Sequence, residues 1–167
     1  TDALGIVEAV RKNDFSKLEA MFISDEDARF LKKQKRVALR HCGVVNPTII
    51  DDYINHQGYQ ALDKALRMEP EAVIEEIKVS GLAGRGGAGF PTWFKWDAAR
   101  KAEGEHKHLI CNADEGDPGD FMDRAVIESD PHTLIEGMLI GAYAIGASDM
   151  YVYIRAERSE EHTSELQ

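Results

Sequence analysis

The chain has 167 residues, of which 43% are hydrophobic and 30% charged, which is enough to form one soluble globular domain with its own core. Its 30 acidic residues against 20 basic ones give a net charge of -10, which argues against nucleic-acid binding. No apolar run has the length of a membrane-spanning helix, and the N-terminus lacks a signal-peptide pattern. We therefore expect a cytoplasmic protein with no direct membrane insertion.

Apolar residues at helical spacing dominate the first half of the chain. They predict a helical prefix over residues 1–30 and three later helices at 48–56, 59–68 and 70–78. Between them, the apolar residues 37–39 follow a basic run and predict a short strand.

In the second half, predicted helices alternate with short strands. Helices are expected at about 91–102, 120–129 and 131–146, and the apolar runs 108–111 and 150–154 predict strands. This alternation indicates an α/β architecture in which the two strands run parallel. Three glycines of the last helix are expected to permit close packing of helix and sheet: Gly137, Gly141 and Gly146.

The glycine-rich segment 80–95 predicts an anion-binding loop. Its backbone N–H groups can face phosphate oxygens, and Arg85 and Lys95 add positive charge. A G-x-G-x-x-G pattern begins at Gly84, but the preceding residues 70–78 are predicted to be helical. The dinucleotide fingerprint requires a strand there, so the pattern alone does not indicate an ordinary Rossmann loop.

Two aromatic residues beside this loop, Phe90 and Trp93, suit stacking against a flat heterocycle. The alternative interpretation of the glycines is a flexible hinge or a tight turn. The aromatic neighbours favour the ligand-binding interpretation.

A polar cluster follows the first predicted strand and contains Asn112, Asp114, Glu115 and Asp117. Ligands of open α/β sheets bind beyond the carboxyl ends of the strands. Amide and carboxylate groups there can bind ribose or ribityl hydroxyls and the polar edge of a ring. Two alternatives stay open: a helix-capping cluster and a loop that binds a divalent cation, although no EF-hand pattern is present.

The cysteine and histidine residues do not indicate a metal site or a nucleophile. The two cysteines, Cys42 and Cys111, lie far apart and are expected to be buried reduced thiols. The histidines lack ligand spacing, and His132 is expected to be structural. No pattern of a hydrolase triad is present, so we expect neither a metal ligand nor a catalytic side chain.

Taken together, the motifs resemble one family. The segments 84–96, GRGGAGFPTWFKW, and 111–119, CNADEGDPG, look like the FMN- and NADH-binding subunit of respiratory complex I. That family includes matching subunits of NAD(P)-linked hydrogenases and NAD-dependent formate dehydrogenases. The resemblance covers roughly residues 30–157. Trp93 and Phe94 stand where the family often has Gly and Leu.

The resemblance implies a fold and a domain organisation. Residues 31–157 would form the N-terminal part of a Rossmann-like FMN-binding domain, which is incomplete here, after the helical prefix 1–30. The polar residues 158–167 match nothing in the family and are expected to be a non-native tail. Half of a doubly wound domain leaves an open sheet edge, so the isolated chain is expected to be inactive and to bind FMN weakly.

The implied function is that of an NADH dehydrogenase flavoprotein module, in which hydride passes from NADH to FMN. FMN supplies this chemistry and the protein supplies binding, so no catalytic side chain is implied. The cofactor-binding residues implied by the resemblance are Gly84, Arg85, Gly86, Gly87, Gly89, Phe90, Lys95, Asn112, Asp114, Glu115 and Asp117.

The implied partners are a thioredoxin-like 2Fe-2S subunit and other iron–sulfur electron-transfer subunits of a larger complex. Through them the protein would lie peripherally on the inner face of the cell membrane. The 4Fe-4S cluster belongs to the full-length family member, and its ligands are absent here. Two alternatives stay open: a non-enzymatic nucleotide- or anion-binding module, and an inactive truncated fragment. The choice between NAD and NADP and the terminal electron acceptor also stay open.

Overall fold

The computed structural model divides into two compact units, Thr1–Val37 and Ala38–Gln167. It describes Arg11 and residues 24–85, 87–117 and 119–155. In the first unit, helix α1 spans Asp25–Lys32. Most of the expected helical prefix, as well as the tail 158–167, lies outside the described residues.

The second unit contains the helices and strands that surround the candidate site. In chain order they are α2 (Ile50–Asn55), α3 (Gln60–Leu66), α4 (Pro70–Ser80), α5 (Thr92–Lys101), β1 (His108–Ala113), α6 (Met122–Ser129), α7 (Pro131–Ile145) and β2 (Asp149–Ile154). The helices and strands predicted for this region are confirmed, and their ends shift by a few residues.

The predicted strand at 37–39 is wrong, because these residues form a bend and a turn. The Cys42 N–H donates to the Leu39 carbonyl at 3.2 Å, which closes a turn instead of a sheet ladder. Val37 is 73% exposed, so its hydrophobic side chain does not contribute to a core.

The two strands pair in parallel, as the alternation of helices and strands predicts. The register runs from His108 opposite Asp149 to Ala113 opposite Ile154. Helices α6 and α7 form the connection that a parallel pair requires. Both strands therefore end at the same edge of the sheet.

Helix α7 lies at the centre of the unit and packs against α3, α4, α5, α6 and both strands. It begins with Pro131 in its first turn, and the Asp130 carboxylate accepts a hydrogen bond from the Thr133 N–H at 3.1 Å. It ends at Gly146, whose φ of 75° suits glycine.

The hydrophobic core forms where these helices meet. Its buried members are Ala65, Val73, Ile74 and Ala144, and partly buried residues including Trp96 pack against them. Burial of an aliphatic side chain such as Ile74 contributes about 1.5–3 kcal/mol.

The expectation that glycines in α7 permit close packing is confirmed at Gly141. A Cβ added there would lie 2.9 Å from Leu109 of β1 and 3.2 Å from Trp96. Gly137 faces open space instead, and Gly146 serves as the end of the helix.

A buried carboxylate joins α7 to the segment before α3. Glu136 is 7% exposed. Its oxygens accept hydrogen bonds from the Tyr53 hydroxyl and from the N–H groups of Tyr59 and Leu62, the last two at 3.0 Å. The Thr133 hydroxyl donates to the Tyr53 oxygen at 3.2 Å. Because a buried charge needs partners, these donors make Glu136 a strong tie between distant parts of the chain.

The turn held by Glu136 has a strained backbone. Gln57 and Tyr59 adopt φ angles of 69° and 60°, which are rare for residues with a side chain. Between them, Gly58 lies directly against the fully buried ring of Tyr53. His132 contacts the same cluster, since its Nδ1 lies 2.9 Å from the Tyr59 hydroxyl. The expected structural role of His132 is thus confirmed.

We predict that Gly58→Ala lowers the free energy of unfolding by about 3 kcal/mol, at the upper end of the range for overpacking. The added Cβ would overlap the Tyr53 ring, which is fully buried and hydrogen-bonded. The matched control is Gly137→Ala, where a Cβ meets open space on a helix and stabilises by about 0.5–1 kcal/mol. Urea unfolding of both variants measures the difference, and equal unfolding midpoints would contradict the packing described here.

We also predict that the protein loses stability in alkali through Tyr53. Burial, followed by the hydrogen bond to Glu136, raises the pKa of Tyr53 from 10.0 to about 12. Between these values the unfolded chain releases a proton that the folded protein retains. The free energy of unfolding is unaffected by this group below 10.0 and falls above it by about 1 kcal/mol per pH unit. In Tyr53→Phe this part of the slope should disappear from urea titrations; an unchanged slope would contradict the assignment.

Candidate functional site

The glycine-rich loop is closed at its base by two backbone hydrogen bonds. The Gly84 N–H donates to the Phe90 carbonyl at 2.8 Å, and the Thr92 N–H donates to the Leu82 carbonyl at 3.1 Å. The loop starts just after α4, which ends at Gly81 with a φ of 69°. These bonds define a narrow base between α4 and α5, so the alternative of an unconstrained hinge does not describe the segment.

Within the loop, two glycines hold conformations that other residues rarely adopt. Gly87 and Gly89 have φ angles of 95° and 61°. A Cβ built on either glycine meets no atom within 4 Å, so a ligand can approach the main chain closely. Gly86 lies outside the described residues.

Aromatic and cationic side chains lie where the loop joins α5. The Lys95 ammonium lies 5.5 Å from the centre of the Phe90 ring, and Phe90 is 43% exposed. Trp93, in contrast, packs against the hydrophobic core and lies 5.2 Å from the Lys78 ammonium. Phe90 is therefore the ring available for stacking, whereas Trp93 is largely engaged in packing.

The acidic segment after β1 is shaped by its own side chains. The Asn112 side-chain oxygen accepts a hydrogen bond from the Asp114 N–H at 3.1 Å. Asp114 and Asp117 are exposed, whereas Glu115 is only 6% exposed. The members of the predicted cluster thus have different environments.

Glu115 caps helix α6. Its two carboxylate oxygens accept hydrogen bonds from the N–H groups of Asp123 and Arg124, at 2.8 Å and 3.2 Å. A carboxylate at a helix N-terminus satisfies unpaired donors and interacts favourably with the helix dipole. Of the two alternatives for the acidic cluster, helix capping is what the structure shows for this residue.

A cavity of about 450 Å³ joins the two predicted parts of the site. It is lined by Arg85, Asn112, Asp114, Glu115, Gly116, Asp117, Asp120, Met122 and Asp123. The structure therefore brings Arg85 of the glycine loop together with the predicted acidic residues. Gly84, Gly87, Gly89, Phe90 and Lys95 are not among the lining residues. Within the described part of the chain, no group of three or more His, Cys, Asp or Glu side chains is arranged to hold a metal ion.

The electrostatics of this cavity are strongly asymmetric, because five carboxylate residues and one arginine line it. A surface of this kind accepts hydrogen bonds from hydroxyl and N–H groups and repels phosphate. Phosphate groups are favoured only on the side of Arg85 and, farther along the loop, of Lys95. One ligand with both hydroxyl and phosphate groups would suit the two sides.

Cys111 does not contribute a reactive thiolate. Burial, and secondly the nearby charge of Asp123, raise the pKa of its thiol. The thiol therefore stays protonated near neutral pH, which agrees with the expectation of a reduced and unreactive cysteine. Both cysteines are free and partly buried.

One residue of the site was missed by the sequence analysis. Arg155 directly follows β2, and its Nη1 donates to the Gly116 carbonyl at 2.8 Å. Its position just beyond a strand, at the edge where ligands of parallel sheets bind, was the available signal.

Comparisons with known proteins agree with this geometry. The protein family described as "Nuo51 FMN-binding domain" matches residues 77–165. The chain is 57% identical over 126 residues to the HndC component of the NADP-reducing hydrogenase of Solidesulfovibrio fructosivorans, covering 75% of this chain and 26% of that protein. It is 56% identical over 108 residues to one component of the NADH-quinone oxidoreductase of Aquifex aeolicus (strain VF5), covering 65% and 25%.

A solved structure, that of an NAD+-reducing NiFe-hydrogenase in the air-oxidized state, matches with a TM-score of 0.59 and 33% identity. The match covers 78% of this chain and 21% of that one. It supports the expected α/β class and a Rossmann-like FMN-binding domain, of which this chain holds a part.

The chain spans about a quarter of the length of the curated relatives it matches. None of the helices in the described ranges combines the length and apolarity needed to cross a membrane. The family match covers more than half of the chain and includes both the glycine loop and the acidic segment. The chain therefore belongs to the family of the Nuo51 FMN-binding domain.

Proposed function

We propose that this chain supplies part of the FMN and NADH site of an NADH dehydrogenase flavoprotein module, an NADH:acceptor oxidoreductase. One observation carries the proposal: Arg85 of the glycine loop shares a cavity with Asn112, Asp114 and Asp117 at the carboxyl ends of parallel strands. This is where ligands bind in open α/β sheets. We assign residues 31–157 to the N-terminal part of the FMN-binding domain.

The cationic side of the site would hold phosphate. Arg85 and Lys95 supply positive charge, and the open backbone at Gly87 and Gly89 lets N–H groups approach oxygens closely. Gly84 is assigned to the same role, as is Gly86. The exposed Phe90 ring, with Lys95 above it, would pack against a flat heterocycle.

The acidic side of the site would hold hydroxyls and the polar edge of a ring. Asn112 and the exposed carboxylates of Asp114 and Asp117 accept hydrogen bonds from such groups. Glu115 would contribute mainly by fixing α6 and the backbone of the acidic segment, since its oxygens already accept from Asp123 and Arg124. The residues therefore fit a ligand that carries both phosphate and sugar-like hydroxyls, as FMN does.

When bound, FMN would accept hydride from NADH and pass the electrons on singly. The protein residues would bind and orient both nucleotides, and none is required as a general base. We further propose that the electrons leave to iron–sulfur subunits of a larger complex, including a thioredoxin-like 2Fe-2S subunit. The 4Fe-4S cluster and a peripheral position at the inner face of the membrane are proposed only for the assembled protein.

The direct test is reduction of bound flavin by NADH. The protein as its gene encodes it is reconstituted with FMN, freed of unbound flavin and mixed with NADH without oxygen. We expect the absorbance of oxidised flavin to disappear. A protein that neither retains FMN nor takes it up on reconstitution would refute the proposal.

We predict that Arg85→Gln weakens FMN binding by about tenfold, because one charge-assisted hydrogen bond to a ligand contributes about 1.5–3 kcal/mol. The matched control is Arg67→Gln, which removes an exposed guanidinium that pairs with Asp63 outside the cavity. Quenching of flavin fluorescence measures both dissociation constants. Equal affinities of the two variants would remove Arg85 from the site.

A further inference from the structure

Arg155 connects the second strand to the acidic segment. In the parallel register Ala113 lies opposite Ile154, so the next residues, Asp114 and Arg155, leave the sheet side by side. Arg155 is only partly exposed, with 36% of its side chain accessible. A long side chain at this position can therefore reach across the edge of the sheet toward the cavity.

The contacts of Arg155 span the acidic segment. Its Nη1 donates to the Gly116 carbonyl at 2.8 Å, and its Nε lies 4.0 Å from an Asp114 carboxylate oxygen. A guanidinium holds several donors in a fixed planar arrangement, so it can fix the backbone and a carboxylate at once. Asp114 and Gly116 both line the cavity.

The acidic segment is thus fixed from two sides. On one side, Glu115 anchors it to the first turn of α6. On the other side, Arg155 anchors it to β2. Arg155 also brings positive charge close to a segment whose carboxylates repel one another. Loss of the guanidinium would both release the backbone at Gly116 and increase that repulsion.

We propose that Arg155 is a positioning residue for the FMN site: it holds Asp114 and the Gly116 backbone in the conformation that accepts the ligand. The proposal rests on the proposed function, because FMN is taken as the ligand of the cavity. Arg155 itself is not among the residues that line the cavity. Its effect on binding would therefore pass through the acidic segment.

The test compares Arg155→Gln, Arg155→Lys and the control Arg67→Gln in the protein as its gene encodes it. Amide hydrogen exchange is measured without FMN, and FMN affinity is measured by fluorescence quenching. We expect Arg155→Gln to accelerate exchange at residues 114–117 and to weaken FMN binding by about tenfold, as for loss of a charge-assisted hydrogen bond. Arg155→Lys keeps the charge and should recover part of the affinity, and it serves if the Gln variant does not fold. The control should match the unaltered protein.

The outcomes separate this proposal from the proposed function. Wild-type affinity in Arg155→Gln would overturn it, and so would a loss of affinity matched by an equal loss in the control. If the unaltered protein binds no FMN, the proposed function fails and this role in binding fails with it. Faster exchange at residues 114–117 would then still show that Arg155 anchors the segment.

Discussion

The buried carboxylate of Glu136 is the interaction on which the arrangement of the second unit depends. It accepts hydrogen bonds from Tyr53, Tyr59 and Leu62, which lie more than 70 residues earlier in the chain. A buried charge is tolerated only when such donors surround it, so the strained turn and α7 must be in register for either to be stable. Because α7 also packs on both strands, this tie extends to the edge of the sheet where the site lies.

At that edge, the parallel order of the strands creates the site. The two strands end together, so Asp114 and Arg155 emerge as neighbours although they are separated by 41 positions in the chain. The Glu115 carboxylate then joins the segment after β1 to α6. The residues that we assign to ligand binding are thereby held by groups that touch no ligand themselves. Such support is what keeps a binding site in one geometry.

The sequence predicted those features that depend on local periodicity and missed those that depend on distant partners. The helices from α2 to α7 and the parallel pairing of the strands are confirmed, because hydrophobic spacing and Gly or Pro boundaries act over a few residues. The strand at 37–39 is wrong, because β-forming residues need a partner strand to become one. The capping role of Glu115 and the anchor at Arg155 depend on hydrogen bonds across 8 and 39 positions, for which no local pattern exists.

The distribution of charge adds a constraint on the ligand that the motifs alone do not give. Arg85 and Lys95 lie on or beside the glycine loop, whereas five carboxylate residues line the opposite part of the cavity. A simple phosphate ion would gain from the first group and be repelled by the second. A small uncharged sugar would use the second and leave the cations without a partner. A nucleotide whose phosphate and hydroxyl groups lie several ångströms apart satisfies both, and this is the physical reason why the glycine loop and the acidic segment belong to one site.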